Sequence, residues 1–351
     1  MADNPITSAI AIIGEARKDD SILAAKDHPK ILKSSAPALA EILEREEVVS
    51  VIKQYEKSDA DAGAAQTRFK SVAMQANFAV FFTVLLGAAI LAGAQLPKEI
   101  TRPVLITLTI AAAVSGALAT MWLFQIRTGN LLERWMTARA NAEMMRLSYF
   151  LLVTNAQPPS GIVSSLPLPL LQLEYFRRYQ LELQITYYRM RGKRHQTDAD
   201  RTLGIGMFAV LIASLASALG GALAVVNPKL AAIAALGPVA AGLSALASAK
   251  EALAQDRRNA ERYGRTLTAL QMLEGKIGEV RKVAAEGELP PVQAYVQTVQ
   301  EQLSLEHRQW LDTAENTRAA LQTLEQSLKD AKDRIEKRGN SPQPSSPAPN
   351  R

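Results

Sequence analysis

The chain has 351 residues, of which 40 are Lys or Arg and 34 are Asp or Glu, so its formal net charge is +6. It contains no cysteine, which excludes disulfides, thiolate metal sites and a cysteine nucleophile. Its three histidines lie far apart in the sequence and lack the spacing of a metal site.

The charges are concentrated outside four long windows, which contain none. We predict that residues 1–70, which precede the first window, form a helical region in the cytoplasm. The windows hold 27, 24, 27 and 20 residues: Ser71–Pro97, Pro103–Ile126, Thr202–Pro228 and Leu230–Ala249. About 20 helical residues span the roughly 30 Å hydrocarbon layer, so each window is long enough to cross a membrane. A single window could instead be a buried core helix, but four windows in two close pairs favour two transmembrane hairpins, 71–126 and 202–249.

The Lys and Arg residues near the ends of the windows are unevenly distributed. Eighteen lie on the side that holds both termini and the 127–201 connection, whereas Lys98, Arg102 and Lys229 lie on the other side. By the positive-inside rule, this asymmetry predicts that the N- and C-termini are both cytoplasmic.

Between the hairpins, residues 127–155 show helical apolar spacing and predict a cytoplasmic helix. Residues 156–169 contain four prolines and predict a linker between two halves of the chain. Residues 170–201 predict a second cytoplasmic helix, which ends in a basic cluster before the third window.

Residues 250–338 predict a further cytoplasmic helical region with a break at Pro290-Pro291. Its last part has apolar residues at alternating steps of three and four, which is typical of a coiled-coil seam: Leu321, Leu324, Leu328, Ala331 and Ile335. Packing of this stripe against the protein's own helices is an equal alternative. Residues 339–351 are rich in proline and predict a disordered tail.

The two halves resemble each other, which suggests an internal duplication. The sequence Arg139-Ala-Asn-Ala-Glu143 follows the second window, and Arg257-Arg-Asn-Ala-Glu261 follows the fourth, at an offset of 118 residues. The windows themselves recur at about 125 residues.

No catalytic constellation, phosphate-binding loop or cofactor motif is present in the sequence, so we expect that the protein is not an enzyme and binds no cofactor or metal. The windows also lack ionisable residues, which argues against an ion-coupled carrier. They do contain small residues at intervals of four, which allow close helix contact. The stripes serve either packing within one chain or contact between subunits around a narrow pore, and the candidate residues are Ser115, Thr120, Ser217, Gly221, Gly237 and Ala241.

The basic cluster before the third window is the best candidate for an anionic ligand. It comprises Arg189, Arg191, Lys193 and Arg194. Contact with lipid headgroups explains it more simply than binding of a nucleotide, and we expect no nucleic acid partner.

Several residues beside the windows form a recurring pattern. Tyr187, Tyr188 and Gln196 precede a hairpin, whereas Arg134-Trp135, Arg139 and Glu143 follow one, with Arg257 and Glu261 as the repeat and Glu306-His307-x-x-Trp310 in the late helix. In these features the chain resembles the SLATT superfamily of two-transmembrane effectors associated with bacterial nucleotide signalling, and looks like two such units in tandem over roughly residues 50–315.

The resemblance implies a pore-forming or membrane-perturbing effector that responds to a cytoplasmic partner or a nucleotide-signalling system. We therefore expect an all-α, multi-pass protein of the bacterial inner membrane, homo-oligomeric in the lipid bilayer, whose cytoplasmic helices control a leak. A non-conducting scaffold that recruits a partner through its C-terminal helices is the alternative, and a transporter ranks third.

Overall fold

The computed structural model describes residues 4–17, 27–93, 98–162, 164–226 and 236–339. Over these ranges the chain forms helices and turns and no strand, which confirms the predicted all-α class. In chain order the helices are α1 (Pro5–Ile13), α2 (His28–Leu32), α3 (Pro37–Glu44), α4 (Glu46–Gly93), α5 (Lys98–Thr128), α6 (Leu131–Asn155), α7 (Leu168–Phe176), α8 (Leu183–Val226), α9 (Leu236–Ala254), α10 (Asp256–Ala285) and α11 (Pro290–Gly339). A π-helical turn, Arg177–Glu182, joins α7 to α8.

The described residues divide into two compact units. Unit 1 contains residues up to Thr67 together with Leu132–Asp198 and Asp256–Ala314, and unit 2 contains Arg68–Leu131, Ala199–Gln255 and the chain from Glu315 onward. The predicted linker, residues 156–169, lies between α6 and α7 and includes the first two residues of α7, and both of these helices belong to unit 1.

The core of unit 1 is built around α7. Its sequence, LPLLQLEYF, is apolar on every side, which is typical of a helix that is surrounded by others. All of its residues except Pro169 are buried, and α1, α3 and α10 pack on it. Phe150 of α6 contacts Phe176 edge to face with ring centroids 5.6 Å apart, so aromatic packing adds to the burial of α7.

Unit 2 contains the uncharged windows and is held together by small residues and buried polar side chains. Ser115 Oγ of α5 donates a hydrogen bond to the carbonyl oxygen of Ala79 in α4 over 2.9 Å. Asn77 of α4 is buried, and its Nδ2 lies 3.5 Å from the carbonyl oxygen of Leu246 in α9. These contacts join the first window to the second and to the fourth.

Three helical stretches are long and apolar enough to cross a membrane: Glu46–Ile90, Pro103–Asn155 and Leu168–Gly220. Large apolar side chains such as Phe124 and Phe208 are exposed on α5 and α8, where lipid is the natural neighbour. The fourth window begins among residues outside the described ranges, and α9 covers the rest of it. Four spans, the hairpin arrangement and cytoplasmic termini therefore stay predictions, and residues 340–351 of the predicted tail also lie outside the described ranges.

Two residues with left-handed backbone mark equivalent points of the suspected duplication. Asn130 (φ 47°) separates α5 from α6, and Gln255 (φ 52°) separates α9 from α10, 125 positions later. Because α6 begins at residue 131 and α10 at residue 256, Arg139 is the ninth residue of its helix and Arg257 the second of its own. The two similar motifs are thus displaced by seven residues, about two helical turns.

We expect Gly242→Leu to lower the melting temperature of the detergent-solubilised protein. A Cβ at Gly242 in α9 would lie 3.3 Å from Phe81 Cε2 in α4, and overpacking of this kind costs about 1–3 kcal/mol. Gly264→Leu in α10 is the matched control, since a Cβ there would meet no atom within 4 Å. Equal melting temperatures for the two variants would contradict close packing of α4 against α9.

Candidate functional site

Six charged side chains from four helices meet within unit 1, and we call them the ionic cluster. They are Asp59 of α4, Arg139, Glu143 and Arg146 of α6, Arg262 of α10 and Glu306 of α11. Three carboxylates and three guanidinium groups are therefore collected in one partly buried region.

Glu143 is the centre of the first part of the cluster. It is 7% exposed, and it stands four residues after Arg139 and three before Arg146 on α6, so helical geometry places the three side chains together. Arg139 pairs with Glu143, and Arg146 Nη2 lies 2.5 Å from Glu143 Oε2. Arg139 Nη1 also lies 3.4 Å from Asp59 Oδ1, which links α6 to α4.

The two arginines keep Glu143 ionised despite its burial. Burial alone would raise the pKa of the Glu143 carboxyl, but the positive charges of Arg146 and then Arg139 outweigh this effect and lower the pKa below its ordinary value. Removing the carboxylate charge would leave Arg146 without the acid that pairs with it and Arg139 with Asp59 alone.

Glu306 and Arg262 form the second part of the cluster. Arg262 Nε lies 3.0 Å from Glu306 Oε1, and the hydroxyl of Tyr188 donates to Glu306 Oε2 over 3.1 Å. Burial raises the pKa of Glu306, and the opposing effect of Arg262 is too small to cancel it. The two buried carboxylates of the cluster thus have pKa values displaced in opposite directions by their environments.

Aromatic rings lie against the cluster. Tyr188 contacts Tyr187 and Tyr263 with ring centroids 5.3 Å apart in each pair. Trp135 of α6 meets Trp310 of α11 edge to face at 5.5 Å, and the His307 ring stacks on Trp310 at 5.7 Å. Burial is greatest around Glu143, Arg146 and Arg262, where low solvent access strengthens the ion pairs, whereas Arg139 and Asp59 remain partly exposed.

A second buried ionic group holds α7 in place. Glu174, which is fully buried, accepts hydrogen bonds from Arg281 Nε over 2.5 Å and Nη2 over 3.1 Å, and from Arg177 Nε over 2.6 Å. Arg177 Nη2 also donates to the carbonyl oxygen of Gly14 over 2.8 Å. This group ties α10 and the end of α1 to the core, so we assign it a role in stability.

The structure brings together six of the nine family-like residues. Tyr187, Tyr188, Trp135, Arg139, Glu143 and Trp310 lie in or beside the ionic cluster. Gln196 is exposed, and Arg257 and Glu261 form an exposed ion pair at 3.6 Å. Nothing in the sequence distinguishes Arg146 and Arg262 from the other Lys and Arg residues near the windows, so their part in the cluster follows from the structure alone.

The small-residue candidates occupy different environments. Ser115 bonds to α4 as described, and Thr120 Oγ1 donates to the Gly116 carbonyl oxygen over 2.7 Å, as hydroxyls within helices often do. Ser217 is exposed on α8, whereas the neighbouring Ala216 is buried. The surroundings of Gly221, Gly237 and Ala241 fall outside what the structure describes.

The basic residues Arg189, Arg191, Lys193 and Arg194 are exposed on α8. Arg191 lies over the Tyr187 ring at 5.7 Å, and Arg194 Nε lies 3.9 Å from Asp198 Oδ2. Their role in binding lipid or another anion stays a prediction. In the part of the chain that the structure describes, no group of three or more His, Asp or Glu side chains is placed to hold a metal ion.

Comparison of the chain with protein-family models, curated proteins and solved structures finds no significant match.

We expect Glu143→Gln to destabilise the protein by about 3–5 kcal/mol, because it leaves the buried Arg146 without the carboxylate that pairs with it and Arg139 with Asp59 alone. Glu261→Gln is the matched control. It removes the acid of the exposed Arg257–Glu261 pair, which has the same i, i+4 spacing, and should cost about 0–1 kcal/mol. Thermal unfolding in detergent measures both, and similar losses would contradict a structural role for the buried pair.

We expect the stability contributed by His307 to fall on acidification. Burial lowers the pKa of His307 below its ordinary value of 6.5, and the attraction of Glu143 only partly opposes this. The folded state thus favours the neutral imidazole, so the contribution is complete above pH 6.5 and is lost as the pH falls through the folded-state pKa. The melting temperature of the wild type should therefore drop more steeply below pH 6.5 than that of His307→Gln, and parallel curves would contradict the assignment.

Proposed function

We propose that the protein is an oligomeric membrane effector that opens a leak, and that the ionic cluster holds it in the closed arrangement. The observation that supports this proposal is the continuity of α4 and α8. Helix α4 carries Asp59 of the cluster and then the first uncharged window, and α8 carries Tyr188 and then the third window.

Helix continuity couples the two regions mechanically. An α-helix without a break transmits a shift or rotation along its length, because each turn is hydrogen-bonded to the next. Opening of the Asp59–Arg139 or Tyr188–Glu306 contact would release α4 or α8 to move, and the windows on the same helices would move with them.

The composition of the cluster suits a switch. Its ion pairs are strong only while water is excluded, so a bound partner or anion that competes for the arginines would weaken them. The resemblance to SLATT effectors suggests a nucleotide-signalling system as the source of that trigger. We infer from the distribution of Lys and Arg around the windows that the N-terminus and the cluster lie in the cytoplasm, and the resemblance to SLATT effectors suggests the bacterial inner membrane.

Purified protein in liposomes loaded with K⁺ or a small dye tests the proposal. We expect slow release from the wild type and at least about tenfold faster release from Glu143→Gln, since a loss of only 1.4 kcal/mol from the closed state changes an equilibrium tenfold. Glu261→Gln should behave as the wild type.

Folding of each variant is checked by its elution as a single oligomeric species from size-exclusion chromatography. Absence of release from folded wild-type and Glu143→Gln protein would contradict the leak, and it would favour the alternative of a non-conducting scaffold.

A further inference from the structure

The last part of α11 is an amphipathic helix that belongs to unit 2. We call residues 315–336 the C-terminal segment. Its buried residues recur at steps of three and four and form one stripe: Thr317, Ala320, Leu324, Leu328 and Ala331. Its exposed residues carry charges of both signs: Glu315, Arg318, Glu325, Lys329, Asp330, Asp333, Arg334 and Glu336.

The stripe packs against the helices that carry the uncharged windows. A Cβ on Gly87 of α4 would lie 3.6 Å from Ile335 Cδ1, an ordinary van der Waals distance, so the segment lies against α4 at this point. Lys332 Nζ donates a hydrogen bond to Thr120 Oγ1 of α5 over 2.9 Å. Near its other end, the segment accepts a hydrogen bond at Thr317 Oγ1 from Gln255 Nε2 over 3.0 Å.

These contacts lie well inside the windows. Gly87 is 17 residues beyond Lys70, or about 25 Å of helix, and Thr120 is seven residues before Arg127, or about 10 Å. The C-terminal segment therefore runs beside the spans to a depth at which the membrane contains hydrocarbon rather than headgroups.

Lipid cannot be the neighbour of the exposed face of this segment. Charged side chains at bilayer depth are stable only where they face water or other protein, and Glu325, Asp333 and Arg334 are exposed in the single chain. Water is retained at that depth when several chains enclose it, as the charged or polar faces of helices do in channels.

We propose that the C-terminal segments of several copies of this chain surround a water-filled passage through the membrane. Each segment places its stripe on α4 and α5 of its own chain and its charged face towards the passage. The exposed residues of the segment include five acids and three bases, so acidic groups such as Glu325 and Asp333 of one copy can pair with bases such as Lys329 and Arg334 of another. This inference rests on the proposed leak and names the helix that lines it.

Disulfide trapping in membranes tests the position of the segment, and the absence of native cysteine makes every introduced pair unambiguous. Full-length Gly87→Cys/Ile335→Cys should form an intramolecular disulfide on mild oxidation in isolated membranes. Gly87→Cys/Leu321→Cys is the control, because Leu321 precedes Ile335 by 14 residues, or about 21 Å, on the same side of α11. Failure of the first pair, or equal cross-linking of both, would overturn the proposal and indicate a segment that leaves the spans in the bilayer.

Should Gly87→Cys impair folding, a bifunctional thiol reagent applied to Gly116→Cys/Lys332→Cys provides a second pair. A Cβ on Gly116 would lie 3.4 Å from Lys332 Cε, so this pair also reports contact between α5 and the segment. Bridging of this pair supports the proposal, and its absence in the folded protein overturns it.

Cross-linking between copies tests the passage. Asp333→Cys should react with a water-soluble thiol reagent and should yield cross-linked dimers with a water-soluble bifunctional maleimide. Val114→Cys, which is exposed on the apolar surface of α5, should do neither in membranes, because lipid covers it. Unreactive Asp333→Cys, or reaction without dimers, would overturn the arrangement.

These experiments need no conduction, so their failure is distinguishable from failure of the leak. Cross-links as expected without release of K⁺ would contradict the proposed function alone. Release of K⁺ without the Gly87–Ile335 disulfide would contradict the lining helix alone.

Discussion

The long helices must be stable both in water and in hydrocarbon, and the rest of the structure depends on this constraint. Helix α4 has 48 residues and α8 has 44, and each combines a charged stretch with a window that contains no charge. The helix is the one local structure that satisfies its own backbone hydrogen bonds in water and in hydrocarbon alike, so the chain can cross from one to the other without a break. The tertiary contacts then differ along each helix: ion pairs and aromatic rings in unit 1, small residues and isolated hydroxyl or amide groups in unit 2.

The ionic cluster shows that burial, rather than the local sequence motif, decides how much stability is lost when one partner of an ion pair is removed. The Arg139–Glu143 and Arg257–Glu261 pairs have the same spacing and nearly the same local sequence. The first lies beneath aromatic rings and has Arg146 as a third member, whereas the second is exposed to solvent. A pair that is buried has a large cost when one partner is lost, and an exposed pair has almost none. The cluster therefore ties α4, α6, α8, α10 and α11 together within unit 1.

The heptad-like stripe of the late helix lies in the C-terminal segment. Its apolar residues pack on the protein's own helices, which was one of the two alternatives for the seam, and its charged residues remain on the outside of unit 2. A surface of this kind beside apolar spans is incompatible with lipid and compatible with water or with another copy. The position of this segment and the formation of an oligomer therefore depend on each other.

The sequence by itself determined the helical class and three stretches able to cross a membrane, because both follow from the charge-free windows and the helical spacing of apolar residues. Tyr188, Glu143 and Trp310 were singled out as a set only through the resemblance to SLATT proteins, and they lie far apart along the chain. Only the tertiary structure decided that these residues lie in or beside one cluster, and that Arg146 and Arg262 form ion pairs with its carboxylates. It also decided that Ser115 faces α4 whereas Ser217 is exposed. Spacing along a helix fixes which side chains share a face, but not which helix that face meets. The repeat illustrates the same limit: the similar motifs are 118 residues apart, whereas the helix breaks at Asn130 and Gln255 are 125 apart, and backbone geometry rather than local similarity marks the equivalent positions.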